Sequence, residues 1–227
     1  ATLPLAQLRI ERRLELRGAA VYVREVVENL AACDRPIGWT QHVTLGPPFL
    51  RKGVTQFRTS ATRSKVYESS FGPADYLVAA AEFDWPHAPL TAGGTADLRV
   101  FTDRAASSAY TAHLMDPARQ RAFFVAFTPS AGLAFGYVWN QSEFPWMGIW
   151  EENHSRQGIP WSGAALTRGM EFGVSPMPES RRDMIDRGRL FGVPGYRWIP
   201  ALTAVTADYW IVATHAREIP DALDWPA

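Results

Sequence analysis

The sequence predicts an all-β fold, a large antiparallel β-sandwich carrying one short helix. Three observations lead there. Apolar and polar residues alternate with a period of two over about ten short segments, the mark of half-buried strands. Gly, Pro, Asn and Asp punctuate these segments at short intervals, as in successive antiparallel hairpins. Strands do not alternate with helices, which argues against a parallel α/β sheet.

The elements follow in order. Ala6 to Gly18 places Leu8, Ile10, Arg12, Leu14 and Leu16 on one parity and Arg9, Glu11, Arg13, Glu15 and Arg17 on the other. Ala20 to Asn29 resumes the alternation after Gly18, with Val21, Val23, Glu25 and Val27 on one side, so the two segments read as a hairpin with one half-buried face. A third strand from Gly38 to Leu45 points Gly38, Thr40, His42 and Thr44 one way and Trp39, Gln41, Val43 and Leu45 the other. Pro47 and Pro48 cannot donate ladder hydrogen bonds and stop it. Strand-like Val54 to Ala61 precedes Glu68 to Gly94, a stretch rich in Ser, Pro, Gly and Ala that reads as a long, functional loop. Asp97 to Asp103, Ala109 to Asp116, Ala122 to Thr128 and Leu133 to Trp139 read as a meander of short strands. Phe144 to His154 puts Trp146, Gly148, Trp150, Glu152 and His154 on one parity, and Ala164 to Val174 follows. Glu179 to Gly188 is the helical stretch, closed by its glycine. Tyr196 to Leu202 and Thr206 to Ala213 are the last strands. All 227 residues are expected in a single domain.

Composition narrows the function classes. With 23 basic and 23 acidic residues the net charge is +0, which removes the electrostatic footprint of a nucleic-acid binder. The longest apolar runs, such as Tyr76 to Ala81, are too short to span a bilayer, so no membrane association is expected. Cys33 is the only cysteine, which leaves no internal disulfide and no thiolate metal cluster. Ala1 to Leu8 lacks the basic flank and apolar core of a signal peptide, although a cleaved one would leave no trace, and a cytoplasmic location is the expectation. The five histidines show no metal-ligand spacing, and neither a Gly-rich phosphate loop nor a nucleophile-elbow serine occurs, so no metal and no cofactor are expected. Nine tryptophans exceed the usual need of one core, and Trp often lines concave ligand sites.

Two residues stand out chemically. His42 shares its face with Gly38, Thr40 and Thr44, whose small side chains leave room above the sheet for a ligand; a hydrogen bond across the sheet is the alternative. Glu171 interrupts the apolar and small run Gly169-Met170-Glu171-Phe172-Gly173-Val174. A carboxylate is costly to bury unpaired, so Glu171 needs a cation, such as Arg168, or a task.

The run Asp34 to Gly46, containing Trp39-Thr40-Gln41-His42, followed by Gly169 to Pro178, in which Pro176 lies five residues after Glu171, resembles the galactose mutarotase or aldose 1-epimerase superfamily. The resemblance implies a β-supersandwich whose concave sheet holds a sugar ring, and a chain that lacks the N-terminal strands of the family. It also implies Glu171 as general base and His42 as general acid in the interconversion of sugar anomers. Trp150 would stack on the sugar, Glu152 would accept its hydroxyls, and Trp139 is a further substrate-binding candidate. The expected partner is a small-molecule carbohydrate. Two other readings stand beside this one. One is a non-catalytic carbohydrate-binding β-sandwich. The other is a glycoside hydrolase using Glu171 and Glu152 as paired carboxylates.

Overall fold

The computed structural model describes residues 1–225. The chain opens with β1 (Thr2–Leu3), β2 (Leu8–Arg17) and β3 (Ala20–Asn29), then β4 (Arg35–Ile37), β5 (Thr40–Leu45), β6 (Gln56–Thr59) and β7 (Ala61–Val66). Short strands β8 (Glu82–Asp84), β9 (His87–Pro89) and β10 (Thr95–Asp97) follow. Next come β11 (Ser107–Met115), β12 (Arg121–Thr128), β13 (Leu133–Asn140), β14 (Trp146–Asn153) and β15 (Leu166–Gly173). The helix α1 (Arg181–Arg187) precedes β16 (Arg189–Leu190), β17 (Val193–Pro194), β18 (Arg197–Ile199) and β19 (Ala204–His215).

Strands account for 51% of the residues and helix for 3%, so the fold is all-β. The strands form two main antiparallel sheets. A seven-stranded sheet runs β1-β2-β3-β19-β13-β12-β6, and a six-stranded sheet runs β5-β15-β14-β11-β7-β8. Their facing surfaces are apolar, as the sequence alternation requires, and meet in an aromatic core. At its centre Phe172 of β15 stacks on Trp139 of β13, with ring centroids 4.2 Å apart and planes 14° from parallel.

The hairpin of β2 and β3 has the predicted limits, and α1 is capped as its sequence suggests. Ser180 Oγ accepts from the Asp183 N–H at 3.2 Å, and Gly188 takes the positive φ of 65° that ends the helix.

Three expectations are corrected. The meander does not form: β11 pairs with β14 and β7, whereas β12 pairs with β13 and β6 in the other sheet. Both strands are apolar on both faces, so their pattern carried no sign of which sheet they join. Asp97 to Asp103 is not a strand: only Asp97 belongs to one, the short β10 that pairs with β9. Finally, Leu14 and Leu16 are 63% and 75% exposed although they occupy the inward parity of β2. The opposing sheet ends at β5 and does not reach over them.

Candidate functional site

The site grows from one row across the six-stranded sheet. Glu171 on β15 is the register partner of His42 on β5 and of Gly148 on β14. Residues opposite one another in a ladder project from the same face, so both functional side chains emerge from the surface turned away from the core. His42 Nε2 lies 3.0 Å from Glu171 Oε1. Its Nδ1 is 3.0 Å from Thr44 Oγ1, two residues along the same face, so both ring nitrogens are engaged.

The two partners differ in environment. β5 is an edge strand, and the His42 side chain is 55% exposed, while that of Glu171 is only 10% exposed. Burial raises the carboxyl of Glu171 above its ordinary range, and the neighbouring imidazole of His42 pulls it back only in part. The Trp150 ring stands 5.8 Å from the imidazole at 68°, giving the pair an aromatic wall.

Two glycines make the room. A Cβ at Gly169 would lie 2.7 Å from Glu171 Oε1, so the bare backbone is what accommodates the carboxylate. A Cβ at Gly148 would meet the Tyr110 hydroxyl at 2.0 Å. Tyr110 therefore crosses over the register partner of Glu171, and its hydroxyl donates to the Pro176 carbonyl at 3.3 Å. Full burial, together with the nearby carboxylates of Glu171 and Glu179, holds the phenol well above its usual range and hence neutral.

The position of β5 is set from its inward side. Glu25 of β3, 1% exposed, accepts from Trp39 Nε1 at 2.9 Å, Gln41 Nε2 at 2.6 Å and the Tyr209 hydroxyl at 3.0 Å, and it also bonds the Arg12 guanidinium. Trp39 and Gln41 bracket Thr40 and precede His42, so this buried carboxylate ties the edge strand to the opposite sheet. A cleft of about 330 Å³ opens beside it between the two sheets, lined by Arg12, Gln41, Tyr137 and Tyr209, with His42 at its mouth.

The structure thus brings His42, Glu171 and Trp150 together. It does not bring Trp139 or Glu152 to them as free groups. Trp139 is fully buried on the other sheet, stacked on Phe172, and its indole N–H donates to the Phe144 carbonyl at 2.8 Å. Glu152 does project from the site face, but it is wholly buried. Its Oε1 accepts from the N–H groups of Ser155 at 2.8 Å and Arg156 at 2.9 Å, and its Oε2 pairs with the Arg156 guanidinium. That carboxylate shapes the loop after β14, which also removes the second acid of the glycoside-hydrolase reading. Arg168 does not neutralise Glu171, for it lies on the core face and donates to the Leu98 carbonyl at 2.9 Å. Among the described residues, no three metal-ligating side chains converge.

Tyr110 and Glu25 were not singled out by the sequence. The signals were faint: a glycine between Trp146 and Trp150 on the site parity of β14, and an acid on the otherwise apolar parity of Val21, Val23 and Val27.

No protein-family model matches this sequence, and no curated protein matches it either. Solved structures do. A candidate aldose 1-epimerase from Klebsiella pneumoniae superposes with a TM-score of 0.64 at 11% identity, over 96% of this chain and 49% of that one. A galactose mutarotase-like protein from Clostridium acetobutylicum gives 0.61 at 14% identity, over 92% and 56%. A TPR-domain containing protein from Parabacteroides distasonis gives 0.58 at 15% identity, over 97% and 32%. This chain therefore spans about half the length of the first two structures and a third of the last. At such identities the likeness establishes the fold, which is that of aldose 1-epimerase and galactose mutarotase-like structures.

Proposed function

We propose that the outer face of the six-stranded sheet binds a small sugar and interconverts its anomers by acid and base chemistry at His42 and Glu171. The observation that carries this reading is the pairing of these two residues across adjacent strands, 3.0 Å apart on one open face, in a fold shared with aldose 1-epimerase-like structures. Anomer exchange requires that a base take the proton of the C1 hydroxyl while an acid protonates the ring oxygen. The C1–O5 bond then breaks to give the open-chain aldehyde, and rotation and reclosure on the other face complete the exchange. Glu171, recessed and poorly solvated, is suited to be the base, and His42, mobile on an edge strand, to be the acid. Trp150 supplies a flat apolar wall for the C–H face of the ring.

The two groups bond one another directly, so an entering sugar must part them. The exposed imidazole is the member free to swing aside, whereas Glu171 is held by its burial. Glu171→Gln and His42→Ala are each expected to lower exchange by at least about a hundredfold, the usual contribution of one acid or base, with the fold intact. Magnetisation exchange or polarimetry on a panel of aldohexoses measures this. Wild-type rates equal to buffer across the panel would remove the catalytic reading.

The same direct contact favours a second reading, in which the face binds carbohydrate without turnover. Calorimetric binding of a sugar that the protein does not interconvert would select it.

A further inference from the structure

We propose that the free edge of β2 is a self-pairing surface, and that two copies of this chain join their seven-stranded sheets across a two-fold axis at Leu14. β1 covers only the start of β2. Ile10 exchanges both of its backbone hydrogen bonds with Ala1, and among the described residues no strand pairs with β2 beyond that point on this side. Backbone groups alternate in direction along an antiparallel strand, so Arg12, Leu14 and Leu16 turn their N–H and C=O groups outward just as Ile10 does. An open edge of this kind is a template for another strand. Leu14 and Leu16, 63% and 75% exposed, add an apolar face that this chain leaves uncovered.

The side chains specify the partner. When β2 meets a second β2 antiparallel with Leu14 opposite the partner's Leu14, Arg12 and Leu16 lie opposite the partner's Leu16 and Arg12. That closes a ladder of about six backbone bonds. On the other face Arg13 then faces the partner's Glu15, and Glu11 faces the partner's Arg17. Each pair occurs twice and every pair joins opposite charges. A slip of two residues in one direction sets Arg13 against the partner's Arg13 and Glu11 against the partner's Glu15. The slip in the other direction sets Glu15 against the partner's Glu15 and Arg13 against the partner's Arg17. Like charges directly opposite are destabilising, so the pattern admits the Leu14-centred register and rejects both neighbours. A slip of four residues toward Ile10 runs into groups that Ala1 already occupies. This surface is isologous, as a two-fold dimer requires.

Arg13 and Glu15 are 78% and 59% exposed in their side chains, so reversing their charges leaves the core untouched. Sedimentation equilibrium over a concentration series is expected to show a dimer for the wild type. Arg13→Glu and Glu15→Arg each convert two attractive pairs into repulsive ones and are expected to weaken it about tenfold or more. The double variant, Arg13→Glu with Glu15→Arg, restores opposite charges and is expected to recover the wild-type dissociation constant. A wild type that stays monomeric throughout overturns the proposal. So does a dimer indifferent to the single reversals, or one that the double variant fails to restore.

Discussion

Glu171 is a carboxylate whose folded environment favours its proton. Burial raises it, and the imidazole of His42 offsets only part of that shift. The folded protein therefore binds this proton more tightly than the unfolded chain does. Stability must fall as pH rises from the ordinary carboxylate range through the raised folded value, and level off above it. Glu171→Gln removes that slope. Thermal melts across pH are expected to show the variant gaining on the wild type through this window, with a constant difference at higher pH. A difference flat across the whole range would mean that the carboxylate is not held in the environment described. The same shift sets the acid limb of anomer exchange, which is expected above the pH at which a solvated glutamate loses its base form.

At the scale of the element, β5 shows how an edge strand is made firm enough to carry a functional side chain. One side is paired to β15, and the other depends on the inward residues Trp39 and Gln41, both bonded to the Glu25 carboxylate. Glu25→Ala leaves the Trp39 indole N–H, the Gln41 amide and the Tyr209 hydroxyl without their acceptor in a buried place, while Arg12, half exposed, turns to water. Orphaned buried donors cost about 1–3 kcal/mol each, and water entering the space recovers part of it, so a loss of about 3 kcal/mol is expected in urea unfolding. Loss of the His42 to Glu171 contact should accompany it, read as a change in the His42 ring resonances. The alternation of β5 was legible in the sequence because one of its faces is buried: Trp39, Gln41 and Leu45 are inside while Thr40, His42 and Thr44 are outside. The hairpin of β2 and β3 was legible in its limits but not in its burial. Periodicity reports that a strand has two faces, and it says nothing of how far the opposing sheet extends, which is why Leu14 and Leu16 were expected inside. Trp139 misled for a related reason. An aromatic residue on a half-buried strand fits a ligand wall and a core equally well, and only the stacking on Phe172 separates them. Glu152 could not be separated from a ligand-binding acid either, because its partners are backbone groups of a loop whose course the pattern does not encode.

In the whole molecule, the site depends on the packing of two sheets whose aromatic core lies directly beneath it. Phe172 follows Glu171 on β15 and points the opposite way. It stacks on Trp139 and meets Phe144 at 5.6 Å, Tyr137 at 5.4 Å and Tyr209 at 5.4 Å between ring centroids. These contacts reach β13 and β19, so one side chain joins the site strand to two strands of the opposite sheet. Phe172→Ala would empty a fully buried volume bounded by rigid rings, which cannot collapse into it easily. The expected loss is about 3–5 kcal/mol, as for other large-to-small core changes. Phe172→Leu keeps most of the apolar volume and is expected to cost clearly less. The two variants separate packing from chemistry. If Glu171 is positioned by the seating of β15 on this core, sugar binding or anomer exchange should decline in the order wild type, Leu, Ala at temperatures where all three remain folded. Equal function in the three folded proteins would show instead that the ladder to β14 and β5 holds Glu171 in place unaided.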